Sequence, residues 1–153
     1  MRRGRDGFTF IELMVVFVVI GLGTVIAIPM IEGGFDSREV KRAALQMRSM
    51  MIHCRGEAVA TGTPQALVID VGKNAVYQSD GGRWEILSDR AEIDRIQGGQ
   101  DIGPGLTRFL FFPNGSTSGG RVAIGSRRDR ARARWWLTLD PLIGGVLVDT
   151  GPA

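Results

Sequence analysis

A chain of 153 residues, 44% hydrophobic and 23% charged, has room for one modest globular domain and one further element. Its formal charge of +3 comes almost wholly from arginine, since only Lys41 and Lys73 are lysines among nineteen basic residues. A single His53 and a single Cys54 exclude an intramolecular disulfide and argue against a His/Cys metal centre or a Ser-His-Asp hydrolase.

Residues 1–7 hold Arg2, Arg3, Arg5 and Asp6, a net +2, so their removal leaves +1 for the remainder. An apolar run follows. Residues 13–31 carry no charge over nineteen positions, and residues 8–31 carry one, at Glu12. A helix over 8–31 rises about 36 Å at 1.5 Å per residue, enough for a hydrocarbon core about 30 Å thick. The arginines before it and Glu32 and Asp36 after it place the N-terminus on the cytoplasmic side. A cleaved secretory signal would have a shorter apolar region and a small-residue cleavage site, and Ala27-Ile28-Pro29 is a poor one. A plain signal anchor accounts for the length but not for Glu12. A carboxylate within the membrane costs about 2.5–3.5 kcal/mol. Leu, Ile, Val and Phe each return roughly 0.3–0.6 kcal/mol, so insertion survives the charge without explaining it.

The arginine-rich leader, Gly7, then Phe8-Thr9-Phe10-Ile11-Glu12-Leu13 and an apolar run resemble the prepilin signal of type IV pilins and type II secretion pseudopilins. The resemblance implies cleavage after Gly7 by a prepilin peptidase and N-methylation of Phe8. It implies that Glu12 pairs with the N-terminal amine of a neighbouring subunit, an assembly register in low dielectric. It also makes Pro29, which removes a backbone donor, a point of helix distortion, with Gly33-Gly34 a second weak point.

Asp36-Ser37-Arg38-Glu39 reads as a helix start within an amphipathic continuation over 32–63. Val40, Ala44, Met47, Met51, Cys54 and Ala58 recur at steps of four and three and mark one apolar face. On that face Cys54 reads as a buried thiol, and His53 beside it as packed or surface-exposed. Thr61-Gly62-Thr63-Pro64 should end the helix. Beyond it, short β-rich runs alternate with turns. Strands are expected over 66–70, 75–79, 83–87, 106–112, 121–125, 134–140 and 145–149, with turns at 70–74 and 80–82 and a loop over 96–105. The expected fold is α+β: a long N-terminal membrane-spanning helix packed on a C-terminal antiparallel β-sheet domain. The divisions are a leader over 1–7, a transmembrane and assembly helix over 8–31, its continuation over 32–63 and a periplasmic β domain over 64–153.

Phe111-Phe112-Pro113-Asn114-Gly115-Ser116-Thr117-Ser118-Gly119-Gly120, followed by a strand, resembles a motif of the H-type minor pseudopilins and their FimT-like relatives. The last hairpin, from Trp136-Leu137-Thr138-Leu139-Asp140 to Val146-Leu147-Val148, fits the same group. A plain surface loop is the competing reading of 114–120.

The glycine-rich segments match neither a P-loop nor a dinucleotide fingerprint. Asp89, Glu92, Asp94 and Asp101 lack a regular oxygen-ligand spacing for calcium, so no metal or cofactor is assigned. No acid, base and nucleophile converge, so no enzyme is expected. The remaining feature is the run Arg127, Arg128, Arg130, Arg132 and Arg134, with Trp135 beside it. A solvated hairpin tip is its plainest reading. Contact with an acidic neighbouring subunit and DNA binding through phosphate contact and stacking stand behind it.

The resemblance implies a minor pseudopilin of a type II secretion system, held in the bacterial inner membrane by a single pass with its C-terminal domain in the periplasm. It would act as a structural subunit at the pseudopilus tip. Its implied partners are other minor and major pseudopilins, the prepilin peptidase and the inner-membrane secretion platform, with nucleic acid outside that set. The alternative is a FimT-like minor pilin that binds DNA during uptake.

Overall fold

The structure, a computed structural model, describes residues 9–79, 81–82, 84–129 and 134–151, with backbone alone at 25–36 and 84. It divides into two compact units, Met1–Phe35 and Asp36–Ala153.

One helix, α1 (Phe10–Thr61), contributes to both units. Its first turn explains its start. The Thr9 carbonyl accepts the Glu12 amide at 3.1 Å and the Thr9 hydroxyl lies 3.3 Å from the same nitrogen, an N-cap that leaves one fewer orphan donor. The helical assignment continues through Pro29, Gly33-Gly34 and Asp36, so the expected start at Asp36 does not occur. Asp36 and Ser37 are good capping types, but the residues before them are already helical and supply the carbonyls that the following amides need. Every described residue over 9–24 is exposed, including Phe10 at 80%. Among the described residues no helix is long and apolar enough to cross a membrane. The span expected over 8–31 lies partly outside the described side chains.

In the second unit α1 buries Val40, Ala43, Ala44, Met47, Met50, Met51, Cys54 and Ala58, the expected stripe widened by Ala43 and Met50. The helix stops where Gly62 takes a φ of 67° and its amide returns to the Ala58 carbonyl at 3.1 Å.

Among the described residues nine strands follow: β1 (Gln65–Asp70), β2 (Ala75–Gln78), β3 (Trp84–Ile86), β4 (Ala91–Gly98), β5 (Gln100–Gly103), β6 (Leu106–Phe111), β7 (Gly120–Ser126), β8 (Arg134–Leu139) and β9 (Val146–Gly151). They form two antiparallel sheets, ordered β3-β2-β1-β6-β5 and β4-β7-β8-β9. One core joins the helix stripe to Leu67, Ile69, Phe109 and Phe111 from the first sheet and Ile124, Leu137 and Leu139 from the second. Each such side chain, fully buried, contributes about 1.5–3 kcal/mol.

Two strands depart from the sequence reading. The segment expected as a loop over 96–105 contains the end of β4 and all of β5. In β4 the alternation of Ala91 and Ile93 breaks because the register shifts between Ile93 and Arg95, so charged neighbours Asp94 and Arg95 interrupt the period of two. Strand β5 is short and mostly exposed, and so lacks an apolar signature. Between them the chain crosses from one sheet to the other at Gly98 and Gly99, with φ of 77° and 74°. A Cβ on Gly98 would lie 3.0 Å from the Gly120 Cα, so the crossing depends on two bare backbones meeting.

A second tie links the sheets. Asn74, in the β1–β2 turn at φ 51°, is buried. Its amide nitrogen donates to the Ala91 carbonyl at 2.7 Å and its oxygen accepts the Ile93 amide at 3.1 Å. β4 is an edge strand, and the Asn74 side chain satisfies the two inward groups that a further strand would otherwise pair.

Candidate assembly surfaces

The N-terminal surface is a helix apolar on all sides with one carboxylate in its first turn. Ile11, Leu13, Met14, Val15, Phe17 and Val18 are all exposed, and Glu12 is the acidic group of that turn. A helix apolar all round has no stable solvent-facing side and calls for an apolar environment or other helices. Thr9 is a residue that the sequence reading passed over. Thr9-Phe10-Ile11-Glu12 has the Thr-x-x-Glu spacing of a capping box, which would have revealed it. Gly7 and Phe8 lie outside the described residues, as does the Pro29 side chain.

The glycine-rich loop between β6 and β7 is not a free surface loop. The Arg55 Nε of α1 donates to the Gly115 carbonyl at 2.9 Å. Thr117, buried, accepts the Gly119 amide at 3.1 Å, and its hydroxyl donates to the Asp140 carbonyl at 3.1 Å. Its amide donates to the Pro141 carbonyl at 3.1 Å. Gly144, at φ 63°, lies against this clasp, and a Cβ there would overlap the Gly115 carbonyl oxygen and the Arg55 Nε. Helix, loop and the β8–β9 turn are therefore fastened together, and the loop residues are consumed by internal bonds. The fastening fixes the turn. Asp140 Oδ1 accepts the amides of Leu142 at 2.8 Å and Ile143 at 3.1 Å. The turn thereby presents Leu142 at 84% and Ile143 at 69% exposure, with Leu147 of edge strand β9 at 68%. This apolar group was missed in the sequence, where Pro141-Leu142-Ile143-Gly144-Gly145 reads only as a turn; two apolar residues at its tip were the signal.

Two of the three described arginines of the run are paired with carboxylates. Arg134 Nε lies 2.6 Å from Asp94 Oδ2, both side chains largely covered, and Arg127 Nε lies 3.8 Å from Glu92 Oε2. Two of the loosely grouped acids of the sequence, Glu92 and Asp94, are thus partners of arginines at the ends of β7 and β8. Trp135 packs against the core on the inner face, with the Lys41 ammonium 5.6 Å from its ring centroid, so it is not an open stacking platform. Arg128 is exposed, and Arg130 and Arg132 lie outside the described residues. Among the described residues no group of three His, Cys, Asp or Glu side chains could hold a metal ion.

The helix, the paired antiparallel sheets and the apolar N-terminus define a pilin-like α+β protein. The family described as the prokaryotic N-terminal methylation motif matches residues 2–28. The chain is 29% identical over 148 residues to type II secretion system protein H of Xanthomonas campestris pv. campestris, covering 90% of this chain and 82% of the relative. It is 28% identical over 133 residues to a fimbrial protein of Pseudomonas aeruginosa, covering 83% and 82%. Two structures of the minor pseudopilin EpsH from the type II secretion system of Vibrio cholerae share the fold. They match with TM-scores of 0.59 and 0.58 at 15% and 16% identity, covering 73% and 76% of this chain and 97% of theirs. In sequence and in fold the chain is similar to the GspH-type pseudopilins.

Proposed function

We propose that this protein is a minor pseudopilin of a type II secretion system, a structural subunit at the tip of the periplasmic pseudopilus that helps prime assembly and export. The observation that carries the reading is the exposed, wholly apolar first stretch of α1 with Glu12 in its first turn, lying inside the matched methylation motif. Cleavage after Gly7 by the prepilin peptidase would leave a methylated amine on Phe8, one residue before the Thr9 cap. Glu12 of one subunit would then pair with that amine on the next, since two charges in an apolar bundle are far less costly together than apart. The same stretch holds the precursor in the inner membrane with its folded unit in the periplasm. There Leu142, Ile143 and Leu147 supply an apolar contact for another pseudopilin. The protein contributes binding energy and geometry, and no catalytic constellation enters the mechanism.

The test is incorporation of the full-length chain into pseudopili, read by co-purification with the other subunits. Glu12→Ala should lower incorporation at least about tenfold while the precursor is still cleaved, the scale set by removing one partner of a buried charge pair. Incorporation equal to wild type would refute the role given to Glu12.

A further inference from the structure

We propose that the outward face of α1 within the Asp36–Ala153 unit is a docking seam for an α-helix of a different protein chain, one that carries carboxylates beside its apolar stripe. The proposal rests on the assembly reading above and names the kind of neighbour that assembly brings. Opposite its buried stripe the helix exposes Leu45, Ser49, Ile52, Gly56 and Val59, at steps of four and three. A repeat of 3.5 residues is the pattern that a second helix fills, its side chains seated as knobs between these. Leu45, Ile52 and Val59 are half-exposed. Ser49 and Gly56 alternate with them and supply the hollows, and a Cβ added at Gly56 would touch nothing. A groove of about 400 Å³ lined by Arg38, Lys41, Arg42, Leu45, Gln46 and Ser49 opens at the start of the seam.

The polar neighbours of the seam choose its occupant. On one flank Lys41, Arg48 and Arg55 recur every seven residues. Lys41 lies over the Trp135 ring, Arg48 Nε donates to the Val146 carbonyl at 3.2 Å and Arg55 Nε to the Gly115 carbonyl. Those partners are neutral, and none of the three cations is ion-paired with a described carboxylate. On the other flank Gln46 donates to Glu85 Oε1 at 3.0 Å, and His53 Nε2 lies 3.5 Å from Glu57 Oε1. Residues 41–59 hold four cations and one carboxylate, Glu57, which also accepts from the Gln78 side chain. A parallel second copy would set Lys41, Arg48 and Arg55 against Gln46, His53 and Ala60, none of them acidic. An antiparallel copy would set basic flank against basic flank. Flanking charges decide which helices pair, so the occupant is a helix of another chain with carboxylates at its flank. Three half-exposed aliphatic side chains fall far short of the about 800 Å² per partner that a stable complex buries. The partner is therefore one already held alongside, as co-assembled subunits are, at high effective concentration.

The experiment uses the 36–153 fragment, which contains the whole buried core and lacks the apolar anchor. The probes are two synthetic helices about four heptads long with leucine at the core positions. One carries glutamate at every flanking position and its twin carries lysine, so neither pairs with itself. Amide shifts in an NMR titration read weak binding. The glutamate helix should shift the Ser49, Ile52 and Gly56 amides. The lysine helix should bind at least about tenfold more weakly, since three exposed charge pairs turn from attraction to repulsion. Ile52→Glu, at an exposed position, should abolish binding with an unchanged melting temperature. Arg48→Glu should narrow the preference between the probes, and Arg48→Lys should keep it. Equal binding of the two helices, binding of neither, or shifts confined to another face overturns the proposal. So does a concentration-dependent shift of the same amides without a probe, which would make the occupant a second copy. Any of these failures leaves the Glu12 incorporation result standing, because this fragment lacks that residue.

Discussion

Asn74→Ala isolates the tie between the two sheets. The substitution removes the donor to the Ala91 carbonyl and the acceptor of the Ile93 amide, both in a buried setting where water does not replace them. Each buried group left without a partner costs about 1–3 kcal/mol. Alanine must also hold the φ of 51° that asparagine tolerates, at about 1 kcal/mol more. The sum, about 3–7 kcal/mol, is a large share of the roughly 5–15 kcal/mol that stabilises a domain of this kind. Chemical and thermal denaturation of the 36–153 fragment should show that loss, with a fall in Tm of at least about 10 °C. Asn74→Gly removes the same two bonds without the backbone strain and should sit slightly above alanine. The Ile93 amide should lose its protection from hydrogen exchange in both. A fall below about 0.5 kcal/mol with Ile93 still protected would refute the account of β4 as a strand completed by a side chain.

Gly120→Ala places a Cβ 2.6 Å from Phe109 Cε1 and 2.7 Å from the Gln97 carbonyl, at a φ of 135°, so the variant fragment should fail to fold cooperatively, as circular dichroism melts would show. Cys54, buried at 1% exposure, should react with a thiol reagent at least about 100-fold more slowly in the native chain than in denaturant, since labelling must wait for opening. Native labelling at the denatured rate would refute the burial of the helix stripe.

The reading of the strands shows where sequence is legible. β1, β2, β6, β7, β8 and β9 are visible because apolar and β-branched residues are flanked by turn residues that have their own backbone reasons: Asp70 accepting the Lys73 amide, Asn74 at positive φ, Asp140 holding the last turn. β4 escapes because a bulge at Asp94 is a property of pairing with β7, and nothing local announces it. β5 escapes because its stability comes from the β6 edge it pairs with, not from its own side chains.

The same division runs through the candidate surfaces. By itself the sequence determines the character of the N-terminal stretch: the uncharged run, Glu12 at its head and the Thr9 cap are all local features, set by spacing along one helix. It also determines the apolar stripe of α1, because helical periodicity is a local rule. Only the tertiary structure decides what the charges and glycines downstream do. The arginines read as a solvated hairpin tip until β4 brings Glu92 and Asp94 across to Arg127 and Arg134. The glycine-rich loop reads as a surface turn until Arg55, sixty positions away, and the β8–β9 turn close on it. Charge pairing and close backbone approach depend on distance in space. Antiparallel sheets join residues far apart in the chain, so these roles appear only once the sheets are built.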